Sequence, residues 1–199
     1  YDYARTPAQI AWDYNRGGPV GHWRFDECEG TAAHDVSGND NHGTINIGAT
    51  APQTSVGTCT SGNSAHAWYN GRNGKYNSSL NFDGVDDWVD CGSGSDFNSS
   101  TLTYSFWYKS SFGSIQCLAT KYKDDNNKLQ ICSNYVGVKE GSWKQQISLP
   151  GGAFDGSWHH LTVVAGTSGV YVYYDGVLTG SDGTSSDLSF LDDSVVEIG

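Results

Sequence analysis

Three successive strands can be read from WHHLTVVAGTSGVYVYYDGVLTG, residues 158–180. Side chains alternate between two faces along residues 160–165 and again along residues 170–174, and the Gly-bounded run 166–169 separates the two. The second run ends at Asp175-Gly176. Period-two alternation closed by Asp-Gly is a strong hairpin signal. The segment therefore predicts an antiparallel meander in a protein built from sheets.

Similar short runs recur along the whole chain without a helical segment between them. Strands are predicted at residues 21–25, 43–47, 79–82, 87–91, 101–109, 115–122, 128–133, 135–139, 143–148 and 195–198. Many short strands in 199 residues predict one all-β domain, a two-sheet antiparallel jelly-roll sandwich over residues 19–199. A capping box, Thr6-Pro7-Ala8-Gln9, predicts one short helix at residues 6–16.

The net charge excludes some classes of partner. Twenty-two acidic residues oppose 11 basic ones, which gives −11. A surface of this sign repels phosphate backbones and anionic lipids, and no apolar run reaches the length of a membrane span. We therefore expect no nucleic-acid partner and no membrane insertion. The chain has no Met, which indicates a processed chain or a piece of a longer one.

The cysteines indicate an oxidising compartment, hence a secreted or cell-surface protein. Cys117 and Cys132 flank the turn at residues 124–127 almost symmetrically, so we predict that they pair. Cys28 and Cys59, both in loop-rich sequence, form the second predicted pair. Cys91 is then free, buried or bonded to another chain. The alternative is that several of the five are small buried hydrophobic residues.

Five blocks carry a family resemblance. They are HWRFDE (22–27), DVSGNDNHGT (35–44), SLNFDGVDDWVDC (79–91), LTYSFWYKS (102–110) and WHHLTVVAGTSGVYVYYDGVL (158–178). In order and spacing they resemble a laminin-G-like domain of the concanavalin A-like lectin/glucanase superfamily. The resemblance implies a two-sheet jelly roll, used as a module in large secreted or surface proteins that bind glycans or other macromolecules. It also implies a structural calcium ion.

The two ends of the chain depart from the family pattern. YDYARTPAQI, residues 1–10, resembles the closing strand and helix of such a domain, placed at the beginning. Residues 1–18 are therefore interpreted as the tail of a preceding or neighbouring domain. The chain is either a segment of a tandem array or a subunit completed by a neighbouring copy through strand addition. The second account predicts head-to-tail association of copies into a filament or array.

Oxygen-bearing side chains alternate along residues 35–41, at Asp35, Ser37, Asn39 and Asn41. Flexible calcium cages are built in this way, and Asp26 can add a carboxylate. The alternative is an Asx-turn loop that bonds to its own backbone. The family resemblance favours Ca²⁺. The run DGVDD, residues 83–87, is interpreted as a hairpin turn with a structural role.

A sugar-binding site needs aromatic faces for the apolar side of a pyranose ring. The candidate ligand-binding residues are Trp68, Tyr69, Tyr135 and Trp143. The alternation along residues 101–109 predicts that Trp107 is exposed, whereas Trp158 is expected to pack in the sandwich. Most aromatic residues in such a fold belong to the core.

The sequence argues against catalysis. Glycoside hydrolysis needs two carboxyl groups at a fixed separation, and the chain has only four Glu, of which Glu27 and Glu29 are split by Cys28. No nucleophile-elbow or metalloprotease motif is present. The sequence therefore predicts a non-catalytic extracellular adhesion or glycan-binding module of a larger or tandem-repeat surface protein, stabilised by calcium. The alternative is the structural subunit of a filament, and a degenerate glycosidase is a third reading.

Overall fold

The computed structural model describes residues 18–69, 73–111 and 116–199. Within them the chain forms strands and two short 3-10 helices, Ser95–Phe97 and Leu188–Leu191. The strands are β1 (Ala32–Ala33), β2 (Gly43–Asn46), β3 (Trp88–Asp90), β4 (Leu102–Lys109), β5 (Cys117–Asp124), β6 (Asn127–Cys132), β7 (Tyr135–Glu140), β8 (Ser142–Ser148), β9 (Trp158–Gly166), β10 (Gly169–Tyr174), β11 (Val177–Asp182) and β12 (Val195–Ile198). No helix in this part of the chain is long and apolar enough to cross a membrane.

The strands form two antiparallel sheets. The larger has the order β1-β2-β3-β12-β5-β6-β7-β8, and the smaller has the order β11-β10-β9-β4. The predicted all-β jelly-roll sandwich is therefore confirmed. The predicted helix at residues 6–16 lies outside the described residues, and so does most of the segment assigned to a neighbouring domain. Strand addition by residues 1–5 of another copy stays a prediction.

The meander forms as its sequence predicts. Residues Asp175 and Gly176, which join β10 to β11, both have positive φ, +48° and +80°. Two central residues of this kind define the type I′ turn, which matches the twist of the paired strands. The predicted strands at residues 21–25 and 79–82 do not form ladders. In the first, only Trp23 makes an isolated bridge, and Phe25 is left-handed at φ +55°, which interrupts an extended run.

The core lies between the two sheets and follows the alternation of β9. Its residues Leu161, Val163 and Ala165 are buried against β6 and β7, while the intervening side chains point outward from the smaller sheet. A second cluster, around Trp68 and Val89, fills the end of the sandwich beneath the long N-terminal loops. The period-two pattern therefore assigns one face of β9 to the core and one to the surface.

The two predicted disulfide pairs are present. Cys117 and Cys132 are register partners in the β5–β6 ladder, and Cys28 bonds to Cys59 across a sequence separation of 31. Cys91 is a free thiol with 3% of its surface exposed. Burial, with a smaller effect from nearby carboxylates, raises the pKa of Cys91 to about 12, so the thiol stays protonated and packs as a small hydrophobic residue.

We expect removal of the Cys28–Cys59 disulfide to be more damaging than removal of Cys117–Cys132. The first bond closes the longer loop, and it ties segments that have little sheet pairing, whereas the second joins strands already held by a ladder. Loop entropy gives about 3 to 4 kcal/mol for the first. Urea unfolding of C28A/C59A and C117A/C132A measures the difference. An equal or larger loss in C117A/C132A would contradict this account.

Candidate functional site

An open cleft lies beside β4, the edge strand of the smaller sheet. Segment 22–26 and loop 75–79 form its walls, and residues 105–107 of β4 form its floor with Trp158 of β9. Its volume is about 420 Å³. We call this site the Trp107 cleft.

Trp107 is the aromatic centre of the cleft. Its side chain points away from the core, and the β4–β9 register sets it opposite His160, with ring centroids 5.1 Å apart. Tyr76 from the loop meets the indole edge to face at 6.0 Å, and the Lys75 Nζ lies 4.4 Å from the indole centroid. Trp107 is 37% exposed and Tyr76 is 67% exposed. The predicted exposure of Trp107 is therefore confirmed.

Asp26 joins the two walls of the cleft. Its carboxylate accepts hydrogen bonds from the Asn77 side chain and from the backbone N–H and hydroxyl of Ser78, each at 3.3 Å. The Ser78 hydroxyl also donates to the Phe25 carbonyl at 2.8 Å. Asp26, predicted as a calcium ligand, thus bonds to loop 75–79, whereas the partners of Asp35 lie elsewhere. Asp26 and Asp35 therefore share no hydrogen-bond partner among the described residues.

A histidine is clamped between two carboxylates beside the depression that adjoins the cleft. His159 Nδ1 lies 2.8 Å from Asp175 Oδ2, and its Nε2 lies 3.1 Å from Asp155 Oδ1. The ring stacks on Tyr174, and Asp175 Oδ1 also accepts the His160 backbone N–H at 2.8 Å. The clamp fixes the Asp175-Gly176 turn, which lines a depression next to the cleft; Lys75, Trp107 and Trp158 line both.

The predicted sugar-binding aromatics do not form one site. Trp68 is completely buried, and its Nε1 donates to the Gly30 carbonyl, so the prediction that it offers a face to a sugar is corrected. It belongs to the core because the N-terminal loops fold over it. Tyr69 beside it is half-buried. Tyr135 and Trp143 do come together, with ring centroids 5.5 Å apart at 89°.

Tyr135 and Trp143 lie on the outer face of the larger sheet. Trp143 is 41% exposed and packs over Gly137, where an added Cβ would stand 2.7 Å from the indole. The Lys139 Nζ lies 5.9 Å from the indole centroid, and the Tyr135 hydroxyl donates to Gln130. Trp143 therefore covers a glycine in β7 and stays partly exposed. This flat surface is a second place where a sugar ring can stack.

The predicted calcium loop is closed by its own hydrogen bonds. Asp35 accepts from the backbone N–H groups of His22, Ser37 and Asn41 and from the Ser37 hydroxyl, at 2.7 to 3.0 Å. Burial alone would raise the pKa of Asp35, but these bonds outweigh burial and lower it. The Asn39 and Asn41 amides both donate to the Val20 carbonyl. The geometry favours the self-bonded Asx-turn alternative at these residues.

Within residues 18–69, 73–111 and 116–199, three carboxylates gather at the turn that was assigned a structural role. Asp83, Asp86 and Asp87 each offer an oxygen within 4.8 Å of the others, an arrangement that could hold a metal ion. Five of the six carboxylate oxygens also accept backbone N–H groups, and three of these bonds tie the turn to residues 48–53. Asp86 Oδ1 is buried without a hydrogen-bond partner. Burial, and then the neighbouring charges, raises the pKa of Asp87.

The sequence misses the residues that complete the Trp107 cleft. Lys75 and Tyr76 lie in a loop, where no periodicity assigns a face, and the pairing of Trp107 with His160 joins strands more than fifty residues apart. The alternation of β4 is the only local signal, and it identifies Trp107 alone.

A family model of the laminin G type, described as the concanavalin A-like lectin/glucanases superfamily, matches residues 82–199. That range is more than half of the chain, so the chain belongs to this family. The resemblance read from the sequence is confirmed. No curated protein has a sequence that matches the chain.

Solved structures with the same fold include binding domains of larger proteins. Domain 4 of AbnA, an extracellular arabinanase from Geobacillus stearothermophilus in complex with arabinotriose, is 17% identical with a TM-score of 0.62, covering 90% of this chain and 82% of that one. The binding domain of botulinum neurotoxin DC in complex with rat synaptotagmin II is 14% identical with a TM-score of 0.58, covering 92% of this chain and 44% of that one. A structure of botulinum neurotoxin type C, whose cell entry depends on two ganglioside molecules, is 13% identical with a TM-score of 0.54, covering 94% and 44%.

The His159 clamp should make stability depend on pH. The hydrogen bond to Asp175 is the main cause that raises the pKa of His159, so the stabilisation is complete below about pH 6.5 and is lost as the pH rises through the folded value. The pKa values of Asp155 and Asp175 are lowered, so their contribution is complete above about pH 4 and is lost as the pH falls. Urea unfolding from pH 3 to 8 should show both losses.

His159→Gln is the matched variant, because glutamine keeps a donor but cannot be protonated. The difference in unfolding free energy between wild type and H159Q should be largest between about pH 4 and 6.5. A difference that does not change with pH would show that the clamp is not ionised.

Proposed function

We propose that this chain is a non-catalytic glycan-binding module of an extracellular protein, and that it binds its ligand in the Trp107 cleft. The observation that carries the proposal is the exposed Trp107 indole, with Tyr76 and His160 beside it and polar side chains around it. Sugar rings stack their apolar faces on aromatic rings, while polar groups around the ring fix the hydroxyls.

Further observations support the proposal. The same fold holds arabinotriose in the arabinanase domain, so a glycan is a ligand that this fold can accommodate. The cleft offers donors and acceptors at Ser105, Asn77 and Arg24, which suit sugar hydroxyls. Two disulfides are typical of proteins in an oxidising compartment, which supports a secreted or surface location.

A binding role suits the carboxylates of the cleft better than hydrolysis does. A general acid for glycoside cleavage needs a raised pKa. The pKa of Asp175 is instead lowered, first by the His160 backbone N–H and then by His159. Asp26 has both oxygens occupied by Asn77 and Ser78. These bonds leave neither carboxylate arranged as a catalytic acid.

Trp107→Ala should weaken glycan binding at least about tenfold, because the stacked face is lost. Binding is measured on a glycan array and then by calorimetry with the ligand that the array identifies. Trp88→Ala is the matched control, since Trp88 is 39% exposed but lies on β3 of the other sheet. Circular dichroism confirms that each variant is folded.

Trp143→Ala tests the second aromatic surface in the same assay. If W143A loses binding and W107A does not, the ligand binds at Tyr135 and Trp143 and the assignment to the cleft is wrong. A blank array with the folded wild-type protein would overturn the glycan-binding proposal itself.

We also propose that Asp83, Asp86 and Asp87 hold a structural Ca²⁺, in place of the set around Asp35. Carboxylate oxygens are the ligands that Ca²⁺ prefers, and a cation would give the buried Asp86 Oδ1 a partner. It would also relieve the repulsion that contributes to the raised pKa of Asp87. The ion would strengthen the connection between the turn and residues 48–53.

Calcium should therefore raise the melting temperature. At a Ca²⁺ concentration one hundred times the dissociation constant, the stabilisation is about 2.7 kcal/mol, or about 5 to 10 °C for a domain of this size. Calorimetry with CaCl₂ and with EGTA measures this shift. Asp86→Asn should abolish it, whereas Asp35→Asn should lower the melting temperature equally in both buffers. A calcium shift lost in D35N and kept in D86N would return the ion to the Asp35 loop.

A further inference from the structure

Three basic side chains lie at or next to the Trp107 cleft. Arg24 and Lys75 line it, and Lys109 follows Trp107 on the same face of β4, opposite Trp158. All three side chains are exposed. Within the described residues, none of the three makes a hydrogen bond or an ion pair. The Lys75 Nζ lies over the Trp107 ring, 4.4 Å from its centroid.

The basic side chains elsewhere in the described chain are all engaged. Two pair with carboxylates and three donate to backbone carbonyls; they are Lys128, Lys144, Lys121, Lys123 and Lys139. Among the described residues, the Lys and Arg side chains without a polar partner are therefore concentrated at one place on the surface. In a chain of net charge −11, such a concentration is not expected from composition.

The carboxylates of the cleft do not use these cations. Asp26 is bonded to Asn77 and Ser78, and Asp175 is bonded to His159 and the His160 backbone N–H. A ligand in the cleft would therefore meet carboxylates whose oxygens already accept hydrogen bonds. It would also meet cations whose N–H groups have no acceptor among the described residues. Guanidinium and ammonium groups in this state are suited to carboxylate or sulfate oxygens.

We propose that the ligand of the cleft is an acidic glycan, one that places a carboxylate or sulfate group among Arg24, Lys75 and Lys109 while a sugar ring stacks on Trp107. This inference rests on the proposed glycan-binding function and adds the class of ligand. The recognition is local, because the net charge of the chain repels anions at longer range. The Lys75 ammonium, now on the indole, moves to the anionic group when the ring takes its place.

Matched pairs of glycans that differ only in charge test the proposal. The probes are 3′-sialyllactose with the methyl ester of its carboxylate, and a galacturonate oligomer with its methyl ester, together with an array of sulfated glycans and their unsulfated counterparts. Calorimetry compares wild type with R24Q, K75Q and K109Q. The control is K144Q, because Lys144 is exposed but ion-paired to Glu140 on the other sheet.

Wild type should bind the acidic member of at least one pair about tenfold more tightly than the neutral member, and each cleft variant should reduce that preference about two- to fivefold. K144Q should keep the preference. In R24Q and K109Q the loss should fall on the acidic member alone, since stacking on Trp107 is unchanged.

The failures of the two proposals are distinguishable. If wild type binds neutral and acidic members equally, or if R24Q/K75Q keeps the preference, the acidic class is overturned; loss of binding in W107A then still supports the glycan site. If folded wild type binds no member of the panel, the glycan-binding function is overturned and the acidic class with it.

Discussion

The antiparallel pairing of β4 with β9 is the constraint on which the cleft depends. It sets Trp107 opposite His160 and Ser105 opposite Thr162 on the outer face, while Phe106 meets Leu161 on the inner face. Because side chains alternate with a period of two, a slip of one residue would bury Trp107 and expose Phe106. The buried row of β9 makes that slip costly. The same apolar contacts that close the core therefore fix the position of the indole.

The parts of this molecule that the sequence predicts are those governed by local chemistry. The meander, the Asp175-Gly176 turn and the pairing of Cys117 with Cys132 depend on residues close in sequence, so spacing and turn residues reveal them. Trp68 and Tyr76 show where prediction from the sequence fails. Both lie in long loops, yet Trp68 is covered completely and Tyr76 is open, because tertiary contacts of the loops decide the burial. Sequence spacing carries no information about those contacts.

In the N-terminal half, carboxylates connect the chain segments to one another, as the hydrogen-bond ladders of the sheets do in the rest of the molecule. In residues 18–69 and 73–87 the strands are few and short, and Asp26, Asp35 and the group Asp83, Asp86 and Asp87 accept backbone N–H groups from other segments. Charge-assisted bonds of this kind are stronger than neutral ones. This explains why acidic residues that resemble calcium ligands in the sequence serve, at Asp35, to close a loop. A short polar side chain can either bind calcium or close a loop, so the sequence pattern alone does not distinguish the two roles.

The position of β4 at the edge of its sheet has a consequence for solubility. An eight-residue edge strand offers unpaired backbone groups to the edge of another molecule, which is a common route to aggregation. Here segment 22–26 and loop 75–79 stand beside that edge, held to each other through Asp26 and Ser78. The two walls of the cleft therefore also shield the edge strand β4 from pairing with another molecule. A change that loosens these walls should cause aggregation before it causes any loss of the fold.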